Sequence, residues 1–244
     1  MSGHSKWNNI KRKKEKTDAA KAKVFTKIGR EISVIVKTGG ANPNENSKLK
    51  DAIAKAKAAN VPNENIERII KKAAGDGEAN NYEELVYEGY GPSGVAVVVE
   101  TLTDNRNRTA GEMRHYFDKC GGNLGQSGSV MFMFDRKGLI RIEAEGLEED
   151  TVMEDALDAG ADDFNFDGDV FEISTDPNSL GGVRDALEGK GYSFLSAEVE
   201  YVPQTMATID DEESAAKMEK LIDMLEENDD VQAVWHNWDM PDDE

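Results

Sequence analysis

The 244-residue chain has a single cysteine, Cys120, and three histidines, His4, His115 and His236. One thiol builds no internal disulfide framework and fits a reducing compartment. The histidines lie far apart, and none has a local Cys or His partner, so zinc-ligand spacing is missing. No stretch approaches the roughly 18 continuous apolar residues of a membrane span. The N-terminus lacks the apolar segment of a secretory signal, so none is expected there. Neither a Gly-x-Ser-x-Gly elbow nor a His-Glu-x-x-His helix occurs. Carboxylates abound, yet in so acidic a chain an Asp/Glu pair carries little information. The expectation is a non-enzymatic protein with no catalytic residue, metal or cofactor.

What the chain has in excess is negative charge, a formal −20. Taken whole, that opposes binding to phosphate backbones. The charge is unevenly spread. Residues 1–75 hold 18 Lys and Arg against 7 Asp and Glu, a net +11. The remaining 169 residues hold 11 against 42, a net −31. Such asymmetry is a signal in itself. The first third has the footprint of a polyanion binder, and the plain alternative is that it pairs with its own acidic body. Nothing resembles a helix carrying Asn, Gln and Arg in its first turn to read base edges. Backbone binding is therefore favoured over sequence readout. On the same grounds the acidic part is expected to stay away from phosphate or to face a basic protein.

Residues 4–16 form a basic arm. A helix is predicted from Thr17 to Thr38, with Phe25, Ile28, Ile32 and Ile35 on one apolar face. Lys16, Lys23, Lys27, Arg30 and Lys37 fall on the opposite face, and Val34 interrupts them. A second helix is predicted over Glu45–Ala59, with Leu49, Ile53 and Ala56 inward, broken by Asn60-Val61-Pro62. Asn63 is read as the cap of a third, with Ile66, Ile69, Ile70 and Ala73 inside and Arg68, Lys71 and Lys72 outside. Three amphipathic helices with short connections make a small bundle.

The acidic remainder reads as α+β. Residues 137–202 give strand, helix, strand, strand, helix, strand, the ferredoxin-like order. The flanks give strands at 85–87, 95–102 and 130–134, a helix at 109–120, a helix at 212–227 and a strand at 231–236. Joined, they make a second α/β sandwich. The expected fold class is α+β, an N-terminal three-helix domain followed by two ferredoxin-like α/β domains, one inserted in the other. The boundaries are 1–80, 81–134 plus 207–240, and 135–206.

Asp163-Phe-Asn165-Phe-Asp167-Gly168-Asp169 imitates the front of an EF-hand loop, but Ser174 stands where a bidentate Glu belongs. Asp-Gly reads as a hairpin turn. Gly121-Gly-Asn-Leu-Gly125-Gln-Ser-Gly128 lacks the lysine and the strand-to-helix context of a phosphate loop, and its Gly-Asn-Leu-Gly lies in the wrong context for a KH loop. It reads as a flexible connection. Thr109 and Glu112 have capping-box spacing, which sets Arg106 and Arg108 just before a helix N-terminus. They suit a phosphate there, or neighbouring carboxylates, and both readings stay open. Trp7 can stack on a base or plug the bundle.

Gly3-His4-Ser5-Lys6-Trp7 followed by Ile10-Lys11 and a lysine run resembles the start of the YebC/PmpR family of probable transcriptional regulatory proteins. The resemblance continues through residues 52–60, 65–72, 87–92, 103–109, 121–125 and 133–138, nearly the whole chain. Arg12-Lys13-Lys14 stands where that family often has His-Arg-Lys, and the cationic character survives. The resemblance implies a cytoplasmic, DNA-binding, three-domain regulator. It also implies kinship with mitochondrial translational activators and with bacterial relatives linked to stalled ribosomes, so the partner is DNA or ribosomal RNA. The residues expected to contact nucleic acid are His4, Ser5, Lys6, Trp7, Lys11, Arg12, Lys13, Lys14, Lys16, Lys23, Lys27, Arg30, Lys37, Arg68, Lys71, Lys72, Arg106 and Arg108. A translation factor on the ribosome is the second reading, and an enzyme or metal-binding module the third.

Overall fold

The computed structural model describes residues 18–75 and 82–240. Among these residues the protein has seven α-helices and two four-stranded sheets, an α+β protein. The chain separates into two compact units. Helix α1 (Asp18–Gly39) gives residues up to Glu31 to one and the rest to the other.

The first unit comprises 32–75 and 136–200. It contains helices α2 (Ser47–Ala58) and α3 (Asn63–Ala74), which pack on each other. Asn46 caps α2, its side chain accepting from the Leu49 amide at 3.1 Å. Leu49, Ala52 and Ala56 are buried, a spacing of three and four. Residue Asn63 is the first residue of α3, and Pro62 holds the cap position without a side-chain bond. The expected Asn63 cap is therefore corrected: proline's fixed φ already sets the entry.

The same unit carries strands β4 (Phe134–Glu143, its first two residues lying in the other unit), β5 (Asp163–Phe166), β6 (Val170–Thr175) and β7 (Ser196–Pro203). Helices α5 (Glu149–Asp158) and α6 (Leu180–Gly189) connect them. The sheet order is β5-β6-β4-β7, with antiparallel β4–β6 and β5–β6 pairs, the ferredoxin-like arrangement. Ile140, Ile142, Phe171 and Ile173 face Val152, Ala156, Val183 and Leu187 from the helices. The Asp167-Gly168 segment closes the β5–β6 hairpin, with Gly168 at φ 99°. That left-handed conformation is cheap only for glycine.

The second unit comprises the N-terminal part of α1, residues 82–135 and residues 201–240. Its strands are β1 (Glu83–Tyr90), β2 (Ala96–Thr103), β3 (Asn123–Leu124) and β8 (Val231–His236), in the order β3-β1-β2-β8. Helices α4 (Arg106–Lys119) and α7 (Glu212–Glu227) bring Met113, Phe117, Met218, Leu221 and Leu225 against Val97 and Val99. After the α1 segment two strands precede the next α-helix, so the connectivity differs from the βαββαβ order while the α+β class stands.

Two local expectations are corrected. The strand read at 130–134 is a single helical turn, Met131–Met133, and β4 begins at Phe134. The glycine-rich run after α4 is not a loose connection. Asn123 and Leu124 pair with Tyr90 and Gly89. A Cβ on Gly122 would lie 2.3 Å from the Tyr90 carbonyl oxygen, so glycine permits the close pairing.

Candidate nucleic-acid interface

His4, Ser5, Lys6, Trp7, Lys11, Arg12, Lys13, Lys14 and Lys16 lie outside the described residues. The other predicted contacts fall into three groups.

The first group sits on α1. Ile28 and Ile32 are buried, as the periodicity requires, and the basic residues emerge on another face. That face is not open. Lys23 Nζ donates to the Glu227 carbonyl at 3.2 Å and Lys27 Nζ to that of Glu226 at 2.8 Å. Arg30 Nη1 donates to the Asp229 carbonyl at 2.9 Å and to Asp230 Oδ1 at 3.0 Å. The Arg30 guanidinium also lies over the Tyr82 ring, 5.4 Å from its centre. These acceptors are the C-terminal end of α7 and the residues just after it. A helix ends with unpaired carbonyls and the negative pole of its dipole, and three cations spaced four and three apart satisfy it. The expectation of a free stripe is corrected here: Lys23, Lys27 and Arg30 serve their own unit. Burial brings Lys27 down to about 8 from the usual lysine value, with Glu226 partly opposing.

The second group is Arg106 and Arg108. Helix α4 begins at Arg106, because Asn105 Oδ1 accepts from the Arg108 amide at 3.1 Å. The two arginines are inside the first turn rather than before it, and Thr109 is not the cap. Arg108 Nη2 reaches Asp230 Oδ2 at 2.6 Å and Asp104 Oδ1 at 3.0 Å. The carboxylate reading thus holds for Arg108, while Arg106 is exposed.

These contacts converge on Asp230, a residue only 4% exposed. Besides both arginines, Thr109 Oγ1 lies 2.9 Å and Thr103 Oγ1 3.0 Å from its Oδ2. Burial alone would raise its pKa; the hydrogen bonds from Arg108, Thr109, Arg30 and Thr103 outweigh that and hold it below the usual carboxylate value. Sequence reading missed this node. Its partners lie about 120 to 200 positions away, beyond any local pattern.

The third group belongs to the first unit. Arg68, Lys71 and Lys72 are exposed on α3, spaced so that they share one face. Arg68 Nη2 donates to Asn65 Oδ1 at 3.0 Å. Lys37 is exposed in the last turn of α1. Lys48 and Lys57 on α2 are exposed as well, and sequence reading passed over them. The first turns of α3 do carry Asn63, Asn65 and Arg68, the residue types of a base reader. Glu64 and Glu67 are interleaved, and Asn65 already accepts from Arg68. Three other cations of this unit are paired: Lys50 with Asp185, Lys55 with Glu198 at 3.0 Å and Arg184 with Asp51 at 2.7 Å.

Among the described residues no group of three or more His, Cys, Asp and Glu side chains is arranged to hold a metal. Among them, too, no helix is long and apolar enough to cross a membrane.

A basic helical N-terminal segment followed by two antiparallel α+β sheets defines a multidomain architecture, and comparison with known proteins assigns it. Residues 5–76 match the family model described as the TACO1/YebC protein N-terminal domain, and residues 82–238 match the TACO1/YebC second and third domain. The chain belongs to the TACO1/YebC family. A relative from Acetivibrio thermocellus, named a probable transcriptional regulatory protein, is 63% identical over 98% of this chain and 99% of its own. One of the same name from Finegoldia magna is 59% identical over the same shares. The crystal structure of the conserved hypothetical protein Aq1575 from Aquifex aeolicus superposes with a TM-score of 0.83 at 47% identity, covering 93% of each chain.

Proposed function

We propose that the protein is a non-enzymatic regulator of gene expression that holds nucleic-acid phosphates with its basic N-terminal region. The observation that carries this reading is the charge split, +11 over residues 1–75 against −31 beyond. Within that region, Lys37, Lys48, Lys57, Arg68, Lys71 and Lys72 are exposed cations on three successive helices. Phosphate contacts need cations that still face solvent, because affinity arises from counterion release. Lys23, Lys27 and Arg30 are therefore left out of the proposed footprint, and Arg108, though exposed, is left out because Asp230 and Asp104 already hold its guanidinium. The relatives' name, probable transcriptional regulatory protein, supports DNA as the partner.

A second reading, a translation factor bound to ribosomal RNA, is favoured by one observation. The base-reading types on α3 are diluted by Glu64 and Glu67, which suits backbone contact over sequence readout. Purified protein is bound to duplex DNA and to ribosomes across a salt series. Phosphate contact predicts that log affinity falls linearly with log salt, by about 0.9 per phosphate on duplex DNA. The quadruple variant Lys11→Ala, Arg12→Ala, Lys13→Ala, Lys14→Ala lowers that slope. Retention on ribosomes at about 150 mM salt, where charges farther than about 8 Å are screened, with release from DNA, selects the translation reading. Binding indifferent to both salt and the variant rules out phosphate contact.

A further inference from the structure

From residue 142 to residue 183 the chain has 14 Asp and Glu and no Lys, Arg or His. This segment builds α5 and the β5–β6 hairpin of the ferredoxin-like unit. Between them lies a groove of about 460 Å³. Its apolar wall is Leu147, Phe166 and Phe171, with the two rings 4.8 Å apart. Phe171 is buried, and Phe166 keeps a face open to solvent. The exposed carboxylates Glu145, Glu149 and Asp169 stand on the rim. Glu149 is also the first residue of α5, and Met153 and Leu157 follow it at four-residue steps. Such steps place all three on one stripe leading from the groove. Leu157 is 52% exposed and Met153 38%.

We infer that this groove and stripe dock a basic amphipathic segment of another protein. An Arg or Lys side chain of that segment lays its aliphatic stem and cation on Phe166 and meets the carboxylates of Glu145, Glu149 and Asp169. Apolar side chains one turn along it cover Met153 and Leu157. The charge argument selects this occupant. A nucleic acid is repelled by so long an acidic run, and a metal finds no convergent set of three ligands among the described residues. An apolar stripe next to the rim calls for a ligand longer than a small amine.

The test uses the full chain and a fluorescein-labelled dodecapeptide of repeated Arg-Ala-Leu, read by anisotropy at about 0.1 M salt, where the Debye length is about 10 Å. Saturable binding is expected. The pair Glu145→Lys, Glu149→Lys weakens it about tenfold or more. The pair Met153→Ser, Leu157→Ser, which keeps the charge, weakens it about fivefold. All four positions are exposed, and duplex DNA binding stays unchanged or, for the lysine pair, strengthens. Peptide binding equal in all three proteins overturns the proposal. So does displacement of the peptide by spermine at equal charge concentration, which marks a mere counterion atmosphere, or by micromolar calcium, which marks a metal site. A dimer that dissociates in the Glu145→Lys, Glu149→Lys variant makes a second copy the occupant and overturns the assignment.

Discussion

Replacing Asp230 by alanine removes a buried carboxylate that joins α1, α4 and the β2 terminus in the second unit. Four side chains donate to it: Arg30, Arg108, Thr103 and Thr109. Breaking a buried ion pair by deleting one partner costs about 3–5 kcal/mol. Two features keep this case inside that range. Arg108 is 43% exposed and recovers water on losing its partner, which lowers the cost. The Thr103 and Thr109 hydroxyls are buried but 2.8 Å apart, so one still finds an acceptor in the other. The expected loss is about 3–4 kcal/mol. Trp235 and Trp238 both lie in this unit, and in a Trp7→Phe background their fluorescence follows its urea unfolding. With a slope near 2 kcal/mol/M the midpoint falls by about 1.5–2 M. Asp104→Ala is the internal control. Asp104 binds the same Arg108 but is 43% exposed, so its loss costs about 0–1 kcal/mol. Equal small effects from the two substitutions would refute the node. Because its folded pKa is depressed, the stabilisation by Asp230 is complete above about pH 4 and disappears as pH falls through the folded value.

Three further outcomes are expected. Arg141 is fully buried and donates to Glu200 at 2.5 and 3.1 Å and to Glu172 at 3.0 Å. Arg141→Met leaves Glu200 buried without its cation and costs the first unit about 3–5 kcal/mol by urea unfolding followed by circular dichroism. Glu88 accepts from the amides of Gly128, Val130 and Met131 at 2.6, 3.0 and 2.8 Å. Burial opposes its ionisation, but those three donors hold its pKa low. Glu88→Ala frees the 126–133 loop, and faster amide exchange at Val130 and Met131 checks it. Lys27 is lowered by burial to about 8, so between there and about 10.5 the unfolded state binds more protons and stability rises with pH. Lys27→Met flattens that rise in urea titrations from pH 7.5 to 10.5.

What the sequence discloses about the fold follows from local physics. The spacing of Ile28 and Ile32 fixes the inner face of α1, and the predicted bounds of α7 and β8, 212–227 and 231–236, coincide with the observed ones because apolar period and turn signals agree there. Misreadings occur where a local rule has a competitor. Asn105 outcompetes Thr109 for the cap of α4, which moves Arg106 and Arg108 into the helix. Glycines at 121–125 suggest looseness, whereas their missing side chains make room for strand pairing. The candidate site is less legible. Periodicity states correctly that Lys23, Lys27 and Arg30 oppose the isoleucines, but it cannot state that α7 ends beneath them some 200 residues later. The exposed set on α3 is legible because only its own helix decides which way it faces.

The salt dependence of duplex DNA binding tests the central claim most directly, compared between the triple variants Arg68→Ala, Lys71→Ala, Lys72→Ala and Lys23→Met, Lys27→Met, Arg30→Met. If exposed cations carry the phosphate contacts, the α3 variant lowers the magnitude of the log–log slope by about 2–3. The α1 variant then leaves the slope unchanged and lowers stability instead. The reverse pattern, a slope moved only by the α1 variant, would contradict the account.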